Sequence, residues 1–144
     1  MQKIKISAVL EGKGKNIHSV TPTASVFDAL SLMSETNVGA LLVLDNGKIA
    51  GIISERDYAR KIALAGKTSL DTKVSDIMTS NVITIALDET VDDAMATMTN
   101  KGIRHLPVVQ DEQLVGVVSI GDLVKAVIKN QEHIIAQLEN YIKG

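Results

Sequence analysis

The sequence predicts an α+β protein made of two β-α-β-β-α repeats packed about a pseudo-twofold axis, with a helical extension at the C-terminus. Three observations predict it. First, Asn16–Ala63 aligns with Asn81–Ile128 without a gap, matching Val26 with Val91, Asp28 with Asp93, Ala29 with Ala94, Met33 with Met98, Leu41 with Leu106 and Val43 with Val108. Second, inside each copy short runs of Val, Ile and Leu alternate with a stretch whose apolar residues recur at helical spacing. Third, both copies close on one pattern, Gly51-Ile52-Ile53-Ser54-Glu55-Arg56-Asp57 and Gly116-Val117-Val118-Ser119-Ile120-Gly121-Asp122. Two units are too few for a solenoid, so the expected geometry is two copies face to face.

In chain order, Ile6–Glu11 reads as a short helical lead-in, followed by Gly12-Lys13-Gly14-Lys15. Each repeat then opens with a strand, Ile17–Val20 or Val82–Ile85. An amphipathic helix follows, with apolar residues at Val26, Ala29, Leu30 and Met33, or at Val91, Ala94, Met95 and Met98. Ser25 and Thr90 precede those runs and are expected to cap them. A second strand (Ala40–Leu44; Leu106–Val109) reaches a turn at Asp45-Asn46-Gly47 or Gln110-Asp111-Glu112, and the Asn-Gly pair is a strong hairpin signal. The third strand (Ile49–Ile53; Leu114–Val118) runs into the closing pattern, with a second helix expected from about Asp57 or Asp122.

The domain boundaries read from this are 6–66 for the first repeat, 67–74 for a linker, 75–130 for the second repeat and 131–144 for the extension. Val74-Ser75-Asp76-Ile77-Met78-Thr79 resembles a short helical lead-in to the second repeat. In the tail, Val124, Val127, Gln131, Ile134, Leu138 and Tyr141 keep three- and four-residue steps, widened by Ile128, Ile135 and Ile142. That stripe fits either packing on its own domain or a homodimer contact.

Composition excludes several function classes. Of 144 residues, 45% are hydrophobic but 2% aromatic, namely Phe27, Tyr58 and Tyr141, so aliphatic residues must fill the interior. So few rings give no stacking platform for single-stranded nucleic acid, and a net charge of −2 lacks a basic footprint. No nucleic-acid partner is expected. The absence of cysteine removes disulfides and thiolate chemistry. Met1-Gln2-Lys3-Ile4-Lys5-Ile6 lacks the apolar core of a secretory signal, and the apolar run Val38–Leu44 is too short to cross a bilayer, so a cytoplasmic protein without a membrane partner is expected.

The chemistry concentrates at the closing pattern. Gly followed by two apolar residues suits a strand whose start lies close to other backbone, and Ser-x-x-Asp puts two oxygen-bearing side chains where the next helix opens. Free N–H groups and a partial positive charge at that opening suit an anionic ligand, while the same pattern also reads as a plain helix cap. The two sites are not expected to be equivalent, because Arg104-His105 in the second repeat corresponds to Gly39-Ala40 in the first. Arg104 offers phosphate a rigid donor fork, and His105 adds charge only when protonated. In the first repeat Arg56 and Arg60, four apart, would share a helix face beside Asp57, with Lys61 next to them.

Other chemistries lack their signatures. His18, His105 and His133 have no metal-ligand spacing, so no metal site is expected. Gly12-Lys13-Gly14-Lys15 lacks the spacing and the preceding buried strand of a phosphate-binding loop. Ser119, His105 and Asp122 can be written as a triad, yet no Gly-x-Ser-x-Gly elbow is present. The chain is not expected to be an enzyme.

Two gapless repeats closing in Gly-h-h-Ser-x-x-Asp, where h is apolar, resemble a tandem pair of cystathionine β-synthase (CBS) domains, often called a Bateman module. Val38-Gly39-Ala40-Leu41-Leu42-Val43, Arg104-His105-Leu106-Pro107-Val108-Val109 and Ser119-Ile120-Gly121-Asp122-Leu123 carry the resemblance to stand-alone, single-pair members, which extends from about Ile6 to Asn130. It implies reversible binding of adenosine-containing ligands in clefts between the repeats, with AMP or NAD-like compounds first and ADP, ATP and S-adenosylmethionine admissible, and no required cofactor. Asp57 and Asp122 would accept hydrogen bonds from ribose hydroxyls, and Ser54 and Ser119 would contact ribose or phosphate. Adenine would lie against Val38, Gly39, Ala40 and Ile52 in one site and against Ile103 and Val117 in the other, near the backbone of His18 or Ile83. Arg56, Arg104 and His105 would face phosphate, with Pro107 and Gly121 completing the second set. The implied function is a signal-transduction module, dimeric, that relays ligand occupancy to a regulated protein. The alternative is a constitutive dimeric scaffold with vestigial clefts.

Overall fold

In the computed structural model, which describes residues 3–14 and 16–143, the elements follow as α1 (Ile6–Lys13), β1 (Ser19–Val20), α2 (Val26–Thr36), β2 (Ala40–Asp45), β3 (Lys48–Ser54), α3 (Glu55–Tyr58), α4 (Val74–Ile77), β4 (Ile85–Ala86), α5 (Val91–Lys101), β5 (His105–Gln110), β6 (Gln113–Ser119) and α6 (Ile120–Lys143). A π-helical turn, Ala59–Ala63, continues α3. Met1, Gln2, Lys15 and Gly144 lie outside the described residues, and with them the first two positions of the N-terminal reading, the end of the Gly-Lys-Gly-Lys stretch and the last tail residue. The result is the α+β class expected, with two three-stranded sheets ordered β1-β2-β3 and β4-β5-β6.

Each sheet is built the same way. A two-residue strand pairs in parallel with the middle strand, which pairs antiparallel with the third. The hairpins share even their irregularity: register shifts between Val43 and Leu44 in one and between Val108 and Val109 in the other. A bulge bends the strand at this point and brings the pairs Val43/Gly51 and Val108/Gly116 into equivalent places. Asn46 and Gly47 both take left-handed φ (52° and 80°), the two-residue turn the Asn-Gly pair favours. Asp111 and Glu112 adopt the same conformation (51° and 64°) without a glycine.

The first helix of each repeat begins where the capping residues place it. Ser25 Oγ accepts from the Asp28 N–H at 3.0 Å. Thr90 and Asp93 form a reciprocal capping box, Asp93 N–H to Thr90 Oγ1 and Thr90 N–H to Asp93 Oδ2, each at 3.1 Å. The Thr90 N–H, more than its hydroxyl, holds the exposed Asp93 carboxyl below its ordinary value. Val26, Ala29 and Met33, with their counterparts Val91, Ala94 and Met98, are buried as the periodicity requires, while Leu30 and Met95 are half-buried.

Two compact units result, one of Ile17–Ile83 and one joining the chain up to Asn16 with Thr84 onward. This corrects the placement of both lead-in helices. The segment at α1 groups with the second repeat: Ile6 N–H donates to Glu89 O (2.9 Å), Val91 N–H to Ile4 O (2.8 Å), and Ile6 and Leu10 are fully buried. The segment read as linker and second lead-in instead closes the first unit: Val26 N–H donates to Thr72 O (2.9 Å), Val74 N–H to Ala24 O (2.8 Å), and Val74 and Ile77 join its core. The reason is pairing by backbone, which an amphipathic pattern does not encode.

The last helix is continuous for 24 residues, so the extension is not a separate element. Leu123 near its start is buried, whereas Ile128, Ile135, Leu138, Tyr141 and Ile142 are exposed within the single chain.

Candidate functional site

Both closing patterns form the junction between the third strand and the following helix. Ser54 and Ser119 are the N-cap residues, so the helices start at Glu55 and Ile120, two residues earlier than expected from Asp57 and Asp122. Each aspartate reaches back to its serine instead. Asp57 Oδ2 accepts from Ser54 N–H (3.0 Å) and Ser54 Oγ–H (3.1 Å), and the Asp57 N–H donates to Ser54 Oγ at 3.2 Å. In the second unit Ser119 N–H donates to Asp122 Oδ2 (2.8 Å), and Asp122 N–H donates to Ser119 Oγ (3.1 Å).

The strand start opposite completes the junction. Ala40 is in register with Ser54, and the Glu55 N–H donates to Gly39 O at 3.0 Å. In the other unit His105 is in register with Ser119, and the Ile120 N–H donates to Arg104 O at 2.9 Å. These bonds consume donors that the helix opening was expected to offer an anion. Beside them the junction presents carboxylate and hydroxyl oxygen, which suits a hydroxylated ligand.

Glycine has two different reasons at the start of this pattern. A Cβ on Gly51 would lie 2.7 Å from Met78 Sδ and 2.8 Å from Thr79 O, and Thr79 pairs by backbone with Ile52 (3.0 and 2.9 Å). Gly51 therefore lies against backbone as expected. At Gly116 the close neighbours are Leu10 Cδ1 and Cδ2, both 2.9 Å from such a Cβ, so there the crowding comes from a side chain.

Within the first unit, Val38, Gly39, Ala40, Ser54 and Asp57 gather at one end of the sheet. His18 immediately precedes β1 at that same end, since β1 and β2 run parallel, and Ile52 sits two pairs in from Ala40 and Ser54, opposite Leu42. In the second unit Ile103, Arg104, His105, Ser119, Gly121 and Asp122 gather likewise, with Pro107 paired to Val117 and fully in the sheet. Ile83 groups with the first-repeat unit rather than with Ile103 and Val117. Arg56 and Arg104 have exposed side chains. Arg60 lies in the π-helical turn, whose wider spacing breaks the four-residue face expected with Arg56.

Two lysines at these junctions were not read from the sequence as partners of the aspartates. Lys61 Nζ donates to Ile77 O (2.8 Å) and lies 3.5 Å from Asp57 Oδ1. Lys13 Nζ donates to Val117 O (2.7 Å) and to Asp122 Oδ2 (2.6 Å). Burial of Asp122 raises its pKa, but the Lys13 hydrogen bond, the Ser119 N–H, the Lys13 charge and the Ser119 hydroxyl together outweigh it and hold the carboxyl below its ordinary 3.8. Lys13 is far from Asp122 in sequence, so no local spacing signals the contact; its flanking glycines were the one available hint. Among the described residues no cluster of three or more His, Asp or Glu side chains could hold a metal, and no helix is long and apolar enough to cross a membrane.

Comparison with known proteins agrees with this fold. The CBS domain family matches residues 14–64 and again 74–129. A CBS domain-containing protein of Arabidopsis thaliana, CBSX3, described as mitochondrial, is 43% identical over 96% of this chain and 72% of its own. A Burkholderia ambifaria structure described as a candidate signal-transduction protein with CBS domains superposes with a TM-score of 0.86 at 45% identity, covering 88% of this chain and 96% of that one. The CBS domain pair of protein MJ0100, solved in complex with 5′-methylthioadenosine and S-adenosyl-L-methionine, superposes with a TM-score of 0.78 at 28% identity, covering 90% and 99%.

Proposed function

Since this chain belongs to the CBS domain family, as a tandem pair of such domains, we propose that it is a non-enzymatic regulatory module that binds an adenosine-containing ligand and relays its occupancy to a partner protein. The observation that carries this reading is the duplicated junction, in which a half-buried carboxylate is held by its own serine cap in the same way in both units. A carboxylate so fixed pays little ordering cost when it accepts from a ribose diol, and an ionised acceptor makes the stronger hydrogen bond. Asp57 and Asp122 are the ribose acceptors in this reading, with Ser54 and Ser119 beside them. Val38, Gly39, Ala40 and Ile52, near the His18 backbone, form the apolar bed for adenine in the first unit, and Ile103 and Val117 form it in the second. Arg56, Arg104 and His105 supply the phosphate-facing charge, and Pro107 and Gly121 complete the second site. The adenosyl compounds bound by the MJ0100 domain pair support the ligand class. AMP and NAD-like compounds are our first candidates, then ADP, ATP and S-adenosylmethionine. Ligand binding acts on a partner only through different affinity for different arrangements of the protein.

A thermal-shift panel of these compounds tests the reading. At free ligand a hundredfold above its Kd, stabilisation of ~2.7 kcal/mol corresponds to a rise in Tm of roughly 5–10 °C for a chain of this size. No rise with any adenosine compound would remove the reading. The second reading, a constitutive dimeric scaffold, is favoured by the exposed apolar stripe of Ile128, Ile135, Leu138 and Ile142 on α6. It predicts dimerisation that is independent of ligand and lost on truncation after Asn130, measured by sedimentation.

A further inference from the structure

The two carboxylates differ in what a ligand must displace. An ionised carboxylate oxygen has two lone pairs. On Asp122 Oδ2 one accepts the Ser119 N–H, and the other faces the Lys13 ammonium at 2.6 Å. Lys13 is anchored at the same time by Val117 O, at 2.7 Å. Asp57 Oδ2 is met instead by the neutral Ser54 N–H and Oγ–H, at 3.0 and 3.1 Å, and Lys61 approaches only the other oxygen, at 3.5 Å. A vicinal diol that engages both carboxylate oxygens therefore has a hydrogen-bonded ammonium to displace in the second repeat alone.

We propose that Lys13 is the charge-selecting residue of the second-repeat site: a neutral nucleoside must strip its ammonium from Asp122, whereas a nucleotide offers that ammonium a phosphate in exchange. This rests on the ribose-acceptor role given to Asp122 above. The chemistry follows from what each ligand brings. Displacing Lys13 by a neutral diol breaks a charge-assisted hydrogen bond and leaves a cation to be resolvated beside the ligand. A ligand with an anionic group returns a partner of the same kind, so the exchange is near balance. The arm that carries Lys13 is suited to this shift, since it is the last residue of α1 and Gly14 follows with φ 95°. The Lys13 side chain is itself about one-third exposed, which gives it room to swing. The first repeat, lacking this contact, has no such filter.

The test is a pair of titrations, adenosine and AMP, on the full chain and on Lys13→Met, followed by ¹⁵N-resolved amide shifts. The Gly121 and Asp122 amides report the second site, and those of Arg56 and Asp57 the first. At the second site Lys13→Met should tighten adenosine and weaken AMP, so that AMP's preference over adenosine falls by about tenfold or more, the worth of roughly one charged hydrogen bond. Lys13→Arg, which keeps the charge, should retain the preference, and the first-site affinities should not move. A preference unchanged within about twofold, well under one such bond, or both ligands shifting in the same direction, would overturn the proposal. Shifts confined to Arg56 and Asp57 would overturn it too, by removing the ligand from the second site. If no amide moves in either protein, it is the adenosine-binding function itself that fails.

Discussion

Alanine at Gly51 should destabilise this fold far more than alanine at Gly116, although the two glycines are equivalent in the repeat. The new methyl at Gly51 would stand 2.8 Å from Thr79 O, closer than carbon and oxygen tolerate, and 2.7 Å from Met78 Sδ. Methionine can turn aside, but Thr79 is backbone, held to Ile52 by two hydrogen bonds of 3.0 and 2.9 Å. Making room lengthens both bonds. Overpacking of this kind costs about 1–3 kcal/mol, and weakening the pair adds roughly 1 kcal/mol. The gain from replacing a strand glycine, about 0.5–1 kcal/mol, offsets part of this at both sites. A net loss of about 1–3.5 kcal/mol at Gly51 follows, centred on ~2 kcal/mol. At Gly116 the crowding atoms are the two Leu10 methyls at 2.9 Å, a side chain that can change rotamer, and the loss should be about 1 kcal/mol or less. Urea unfolding reads both, with the Gly51→Ala midpoint lower by about 1 M or more. A Gly51→Ala protein within about 0.5 kcal/mol of the parent, below even mild overpacking, would refute the argument, as would Gly116→Ala being the more damaging.

Stability should fall in acid in a way that depends on Asp122. Its folded pKa is lowered below 3.8, so the stabilisation is present above that value and is lost as pH falls through the lower folded one. Below about pH 5 the unfolding free energy should drop less steeply in Asp122→Asn than in the parent; equal slopes in chemical denaturation would contradict the Lys13 pairing. The second hairpin should be improvable: Asp111→Asn with Glu112→Gly restores the Asn-Gly turn of the first and should raise stability by about 1 kcal/mol, seen as a higher Tm, because Glu112 now holds a φ of 64°. No gain would mean that the left-handed turn costs nothing here.

Much of the fold was legible because it is written in local chemistry. Ser25, Thr90 and the Asn46-Gly47 turn announce themselves by residue type, and the duplication carries each assignment from one repeat to the other. Legibility ended where the information is not local. Ile6–Lys13 and Val74–Ile77 each show that a helix forms, but their docking depends on backbone pairing with Glu89 or Ala24, which no apolar pattern encodes. The aspartates stand out as candidate site residues by their repeated spacing from the serines, yet the serine cap's demand on them, and Lys13 reaching Asp122 from far along the chain, appear only in three dimensions. Asp111-Glu112 takes its turn without the usual residues because the bulge and register of the hairpin impose it.

The central claim is that each repeat offers one ribose-accepting carboxylate, and calorimetric stoichiometry tests it most directly. Titrated with AMP or another adenosine ligand that raises the Tm, the parent chain should bind at both repeats. Asp57→Asn and Asp122→Asn, which keep an acceptor for the cap but lose the charge, should each remove a different one of those binding events. Unchanged stoichiometry and affinity in both variants would contradict the account.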